Sequence, residues 1–343
     1  MIQLSASQAI PRAGASQAKR RVLFYVRLAV SLGLVSYLGW ILDWEQAVQA
    51  VSAAGKSLLL VVPFLMLVRL GAAVCRWKLI LADSAVRIRF WQGYTSYLVG
   101  AFYNVLLPGV TGGDAVRVGR CVAQTRCKLG TATASVLLER VSGVFALSAL
   151  ALSTYLLFPK TLLALLGTGA TSAAVIVAAL GIIVIVTVIL ARRLWSRWLP
   201  AEDVGRFWRF VRSGMQTLST LRGRTLGVIV ALSIVFQAVD ILATFLLSRA
   251  LGLEVSLSVF FGVLPLVYLV ICLPVSLGGL GVREGALVFL LSRFGVAASD
   301  AVMLSFLLYL NRIVIGSLGG FAQLAEVLSS REINRVAGNR NHG

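Results

Sequence analysis

The stretch Leu107-Pro108-Gly109-Val110-Thr111-Gly112-Gly113-Asp114-Ala115-Val116-Arg117 places a helix breaker, three glycines, an acid and a base between two apolar segments. A second copy, Leu273-Pro274-Val275-Ser276-Leu277-Gly278-Gly279-Leu280-Gly281-Val282-Arg283, repeats the pattern L-P-x-x-x-G-G-x-x-V-R. The chain around them is 59% hydrophobic and only 13% charged. Apolar runs of about 20 residues, the length of a membrane-crossing helix, recur along it. Such a composition describes an all-α polytopic membrane protein. At membrane depth, non-helical backbone is tolerated only where protein or a wet cavity surrounds it. Two breaks of this kind therefore constrain the fold more than any other feature.

Six runs are long enough to span: 22–42, 57–81, 130–158, 161–191, 226–250 and 299–328. The segments ending at the two prolines, 93–107 and 257–273, are short for a crossing. If both crossed, the loop at 120–128 and the arginine-rich stretch at 192–224 would lie outside, against the bias of Lys and Arg toward the cytoplasm. If each instead folds back as a re-entrant helical hairpin, 22 of the 32 lysines and arginines fall inside and 4 outside (Lys56, Lys160, Arg249, Arg293). The other six (Arg27, Arg69, Arg117, Arg140, Arg283, Arg312) lie in apolar segments. The expected fold is thus six full spans plus two re-entrant hairpins, with both termini cytoplasmic. Each half then crosses three times, which makes the halves (about 20–158 and 161–328) an inverted-topology repeat of the kind transporters use around a midplane site. Residues 1–18 read as a polar cytoplasmic tail, 19–328 as one transmembrane domain and 329–343 as a second tail.

The formal charge of +19 sits in short loops, which favours a membrane surface over nucleic acid. The eight arginines at 192–224, mixed with Trp195, Trp198, Phe207, Trp208 and Phe210, read as an amphipathic helix on anionic headgroups. The four cysteines show no C-x-x-C pair and the sole histidine is His342, so neither a metal centre nor a histidine relay is expected. Neither a nucleotide loop nor an acid-plus-metal motif such as D-x-D is present, and no cofactor is expected.

Charges near helix centres are costly and should face the bundle interior. These are Arg69, Glu139, Arg140, Asp240 and Arg312, joined by the hairpin residues Asp114, Arg117, Arg283 and Glu284. Polar positions at steps of three and four place them on inward stripes: Thr131, Ser135, Glu139, Ser142 and Gly143 in the third span; Ser233, Gln237, Asp240 and Thr244 in the fifth; Ser305, Tyr309, Arg312, Gly316, Gly320 and Gln323 in the sixth. Two readings follow. The charges form a self-neutralising ion-pair lattice, or they line a cavity for an anionic headgroup. In the second reading Gly112-Gly113 and Gly278-Gly279 present backbone N–H groups at helix starts. Arg117, Arg140, Arg283 and Arg312 then bind phosphate in symmetric pairs, with Glu139, Asp240 and Glu284 as ion-pair or proton-coupling groups. Asp114 and Glu284, in first helical turns, also suit a capping role.

The run from Asn104-x-Leu106-Leu107-Pro108-Gly109 through Gly112-Gly113-Asp114 to Arg117, then Glu139-Arg140, then Pro274 to Gly279 with Gly281-x-Arg283-Glu284, resembles the transmembrane region of the lysylphosphatidylglycerol synthase family. That flippase-like domain occurs alone in YbhN-type proteins and as the membrane half of MprF. The resemblance covers about residues 20–328. It implies a flippase of the bacterial inner membrane that moves a phospholipid or polyprenyl-phosphate-linked headgroup between leaflets, with Asn104 and Arg69 beside the arginines at the site. The aminoacyltransferase half is absent from this chain, so lysyl transfer is not implied. The competing expectations are a membrane-embedded transferase using Asp114 or Glu139 as base, and a polar-solute or ion transporter.

Overall fold

The computed structural model describes residues 56–106, 112–158, 222–271 and 281–340. The expected first and fourth spans, the stretch 192–221, the two L-P turns and Gly278 and Gly279 lie outside them. The described residues form eight α-helices and no strand: α1 (Lys56–Asp83), α2 (Phe90–Leu106), α3 (Gly112–Thr125), α4 (Leu129–Leu157), α5 (Gly223–Ala250), α6 (Leu257–Ile271), α7 (Val282–Ser292) and α8 (Ala298–Arg340). Four of these, α1, α4, α5 and α8, are long and apolar enough to cross a membrane. They correspond to the expected second, third, fifth and sixth spans. Helix α8 continues past the expected boundary at 328 as far as Arg340.

The long helices expose large apolar side chains on one side. Leu60, Phe64 and Val68 do so on α1, and Phe306, Leu310, Ile313, Val314, Leu318, Phe321, Leu324 and Leu328 on α8. In water such stripes would be a liability; against lipid tails they are the expected outer surface. The opposite faces bury the polar stripes read from the sequence, with Ser135, Glu139, Ser142, Ser233, Gln237, Asp240, Thr244 and Ser305 all buried.

Helices α2 (17 residues) and α3 (14 residues) reach about 25 and 21 Å at 1.5 Å per residue, short of the roughly 30 Å hydrocarbon core. They run antiparallel. The N–H of Gly113 donates to Asn104 Oδ1 (2.8 Å), Arg117 lies against Gly100, and Arg120 Nε donates to Ser96 Oγ (3.3 Å), so advancing along α3 means retreating along α2. A Cβ at Gly113 would sit 2.2 Å from the Gly100 carbonyl oxygen. Only glycine lets the two arms approach this closely. Helices α6 (15 residues) and α7 (11 residues) form the corresponding pair in the second half. Between them Gly281 takes φ +79°, open to a residue without a Cβ, and its N–H is held by the Glu284 carboxylate (2.6 Å).

The packing maps onto itself when the halves are exchanged. Helix α1 lies against α5. Helix α8 packs on α2, as α4 packs on α6. Each hairpin also touches the helices before and after it in its own half. Every hairpin therefore rests on the last long helix of the other half, which interlocks the two. The α8–α2 seam is the tightest: a Cβ on Gly319 would lie 1.9 Å from the Leu98 carbonyl oxygen and one on Gly316 3.0 Å from Val105. We predict that Gly319→Leu lowers the thermal stability of the detergent-solubilised protein by at least the ~1–3 kcal/mol typical of overpacking. Gly119→Ala, which meets nothing within 4 Å, should leave the melting curve in place. Equal melting temperatures for the two variants would contradict the seam.

Candidate functional site

Two buried ionic networks occupy the bundle interior. The first is centred on Glu139 of α4. One carboxylate oxygen accepts from Arg76 of α1 (2.7 Å) and from the Tyr97 hydroxyl, and the other from Arg117 of α3 (2.6 Å). All three charged groups are buried. The Arg117 guanidinium lies over the Tyr97 ring (3.6 Å) and beside Trp77 (4.8 Å), whose Nε1 donates to Ser135 (2.9 Å). Arg76 also donates to Ser233 of α5 (2.9 Å), which donates to Ser142 of α4 (3.1 Å). At the outer edge, Asp114 takes Arg117 on one oxygen (3.3 Å) and Arg140 Nε on the other (2.6 Å). Asp114 thus acts as an ion-pair bridge. Glu284 caps its helix, accepting from the Gly281 N–H (2.6 Å).

The second network belongs to the other half. Arg69 of α1 meets Asp240 of α5 (3.4 Å), which also accepts from the Tyr268 hydroxyl of α6. Arg283 of α7 pairs with Glu284 (2.6 Å) and reaches the hydroxyl (3.2 Å) and carbonyl (3.3 Å) of Ser305 on α8. The networks meet at one ring: Arg69 and Arg76, seven residues apart on the same face of α1, both lie over Phe236, at 3.9 and 5.1 Å from its centroid.

Arg312 differs from the other charges of the two networks. Its neighbours are Arg283, Tyr268, Arg69 and Asp240, yet among the described residues it makes no hydrogen bond and no ion pair. It is exposed, as are Ile313 and Val314 beside it. It stands two residues from both Leu310 and Val314, about 200° around α8 from the apolar outer stripe. The buried Arg76, Arg117 and Arg283 differ from it in this exposure. In the second network three arginines (69, 283, 312) face two carboxylates (240, 284), and the one in excess, Arg312, is exposed. In the first network, Arg76, Arg117 and Arg140 also outnumber Asp114 and Glu139, but each arginine is paired.

The site residues inferred from sequence therefore divide. Arg117, Glu139, Asp114 and Arg140 come together in one network, and Arg69, Asp240, Arg283, Glu284 and Arg312 in the other. Asn104 and Gly113 hold the hairpin arms together, Gly112 starts the second arm, and Gly278 and Gly279 lie outside the described residues. Sequence reading missed Arg76: with Trp77 and Lys78 near the end of the expected span 57–81, it has the look of a basic and aromatic interface. Helix α1 carries on to Asp83, so Arg76 and Trp77 are interior. The seven-residue step from Arg69, two full turns, was the available signal. Arg120, expected in a cytoplasmic loop, instead sits on α3 and forms a two-pronged pair with Glu326 of α8 (2.7 and 2.8 Å). Tyr97, Tyr268 and Phe236 carry no sequence pattern that would single them out from other aromatic residues.

The model of the lysylphosphatidylglycerol synthase TM region matches residues 24–320, most of the chain. The chain belongs to that family. It is a helical membrane protein related to lipid handling, and the motifs that carried the resemblance build its two interior networks. No curated protein sequence matches it.

Removing one partner of a buried ion pair is far costlier than removing the pair, because a charge stays behind uncompensated. Glu139→Ala leaves Arg76 and Arg117 facing each other and should destabilise the protein by about 3–5 kcal/mol. Combining it with Arg76→Met should recover part of that loss in a double-mutant cycle read by thermal unfolding. Additive losses would show that the three groups are not energetically coupled.

Proposed function

We propose that the protein is a lipid flippase of the bacterial inner membrane, moving the headgroup of an anionic, phosphate-bearing lipid between leaflets. The observation that carries this reading is Arg312: a cation at mid-helix, inward-facing, exposed and without a partner among the described residues. An unmatched charge within the membrane is expensive, and an incoming anion removes the cost. Guanidinium geometry suits phosphate, and Arg69 and Arg283 stand close enough to add charge to the same space.

The charge balance narrows the headgroup. The second network carries one positive charge in excess, which a phosphodiester neutralises. A phosphomonoester carries about −1.5 to −2 and would leave negative charge over. Phospholipids and polyprenyl-phosphate-linked sugars both present such a diester. The interlocked halves support the remaining parts of the reading: six spans, two re-entrant hairpins, an inverted repeat and cytoplasmic termini. Hairpin arms too short to cross, each seated on the other half's last long helix, are what an alternating-access bundle needs at its centre. Residues 112–117 and 281–284 position the arginines. The transferase reading is disfavoured because its bases are engaged: Glu139 holds Arg76, Arg117 and Tyr97, and Asp114 holds Arg117 and Arg140.

In proteoliposomes containing a fluorescent phosphodiester lipid, Arg312→Gln should slow headgroup translocation by about 10- to 100-fold, the worth of one charge-assisted bond to phosphate. Arg249→Gln, at the end of α5 and away from both networks, should translocate at the wild-type rate. A wild-type rate in Arg312→Gln would remove this residue from the transport path.

A further inference from the structure

Cys121 and Cys127 share no motif in sequence, but the structure brings their sulfurs to 3.8 Å. Helix α3 ends at Thr125, and Arg126 takes φ +54°, a left-handed conformation that non-glycine residues seldom adopt. That single residue turns the chain back so that Cys127 lies over the last turn of the helix. The Thr125 hydroxyl fixes the corner, donating to the Cys121 carbonyl (2.8 Å) and accepting from the Cys127 N–H (3.4 Å).

The two thiols are unequal in the way that a disulfide-forming pair requires. Cys127 is partly exposed, so an oxidant from outside the protein can reach its sulfur. Cys121 is fully buried against Trp77, Leu81 and Ala132, where only a group already inside the protein can reach it. Cys75 is exposed, and none of the described cysteines lies beside it, which makes it an internal reference.

We propose that Cys121 and Cys127 form a redox modification site at the α3–α4 corner, in which Cys127 reacts with a hydroperoxide and Cys121 resolves the product into a disulfide. In the first step the Cys127 sulfur attacks the peroxide O–O bond, which gives a sulfenic acid and releases one water from hydrogen peroxide. In the second the Cys121 sulfur displaces the sulfenic oxygen, which leaves as a second water while the S–S bond forms. The sum oxidises two thiols and reduces one peroxide. The bond would tie the second arm of the first hairpin to the start of α4. Its inner side is the Trp77 and Tyr97 cluster that cradles Arg117.

Trypsin cuts after Arg120, Arg126 and Lys128, so the disulfide joins the peptides 121–126 and 127–128. Purified protein in nanodiscs, treated with hydrogen peroxide and blocked by alkylation, should yield this joined peptide, sensitive to dithiothreitol, while the Cys75 peptide stays alkylated. In Cys127→Ser the Cys121 peptide should remain fully alkylated. Separate, alkylated peptides in the wild type at peroxide levels that oxidise Cys75 would overturn the proposal. So would oxidation of Cys121 in Cys127→Ser at the wild-type rate. This readout needs no lipid movement, so it stands or fails independently of the transport reading.

Discussion

A carboxylate clamped between two guanidinium groups in a medium without free water ties together three separate parts of the chain. Glu139 belongs to α4, Arg76 to α1 and Arg117 to the first hairpin, and each would be a costly charge alone. Joined, they fix where a short, broken segment sits among long helices. The hairpin cannot be held by hydrophobic force alone, since lipid tails satisfy apolar side chains as well as protein does. Two kinds of contact do the work instead: ion pairs at the centre, and backbone-to-backbone approach at glycine. Gly113 against Gly100 and Gly319 against Leu98 supply the second kind. The bundle is thereby tight where the hairpins touch long helices.

The two halves spend the same set of charges differently. Around Glu139 each arginine is matched, so that network reads as structure. Around Asp240 one arginine is left over, so that network reads as a place for a ligand. Phe236 links them, because Arg69 and Arg76 lie over the same ring from the same face of α1. A headgroup that drew Arg69 away from Asp240 would act directly on the aromatic contact shared with Arg76. Coupling between the halves therefore has a physical route through one side chain.

Much of this was legible from residue order. Pro108 and Pro274 lie outside the described residues, but the short helices expected on either side of them are there, and polar steps of three and four marked the buried faces of α4, α5 and α8, because a helix keeps its period in lipid as in water. The resemblance to the family rested on the same residues. What escaped was long-range or local in a way that period does not encode. Arg76 looked like a helix-end anchor because basic residues and tryptophan gather at interfaces, yet α1 runs on to Asp83 and buries both. Asp114 had the position of a cap, and position alone did not foretell that it also pairs with Arg117 of its own helix and Arg140 of α4. The contact between Cys121 and Cys127 depends on one left-handed residue, Arg126, which no spacing rule foresees.

The central claim is that the unmatched guanidinium of Arg312 holds a singly charged phosphodiester lipid. Native mass spectrometry of protein released from membranes tests it most directly. The wild type should retain one phosphodiester lipid per chain, and Arg312→Gln should lose it while keeping its fold. A lipid held equally by both, or a wild type that retains none, would contradict the account.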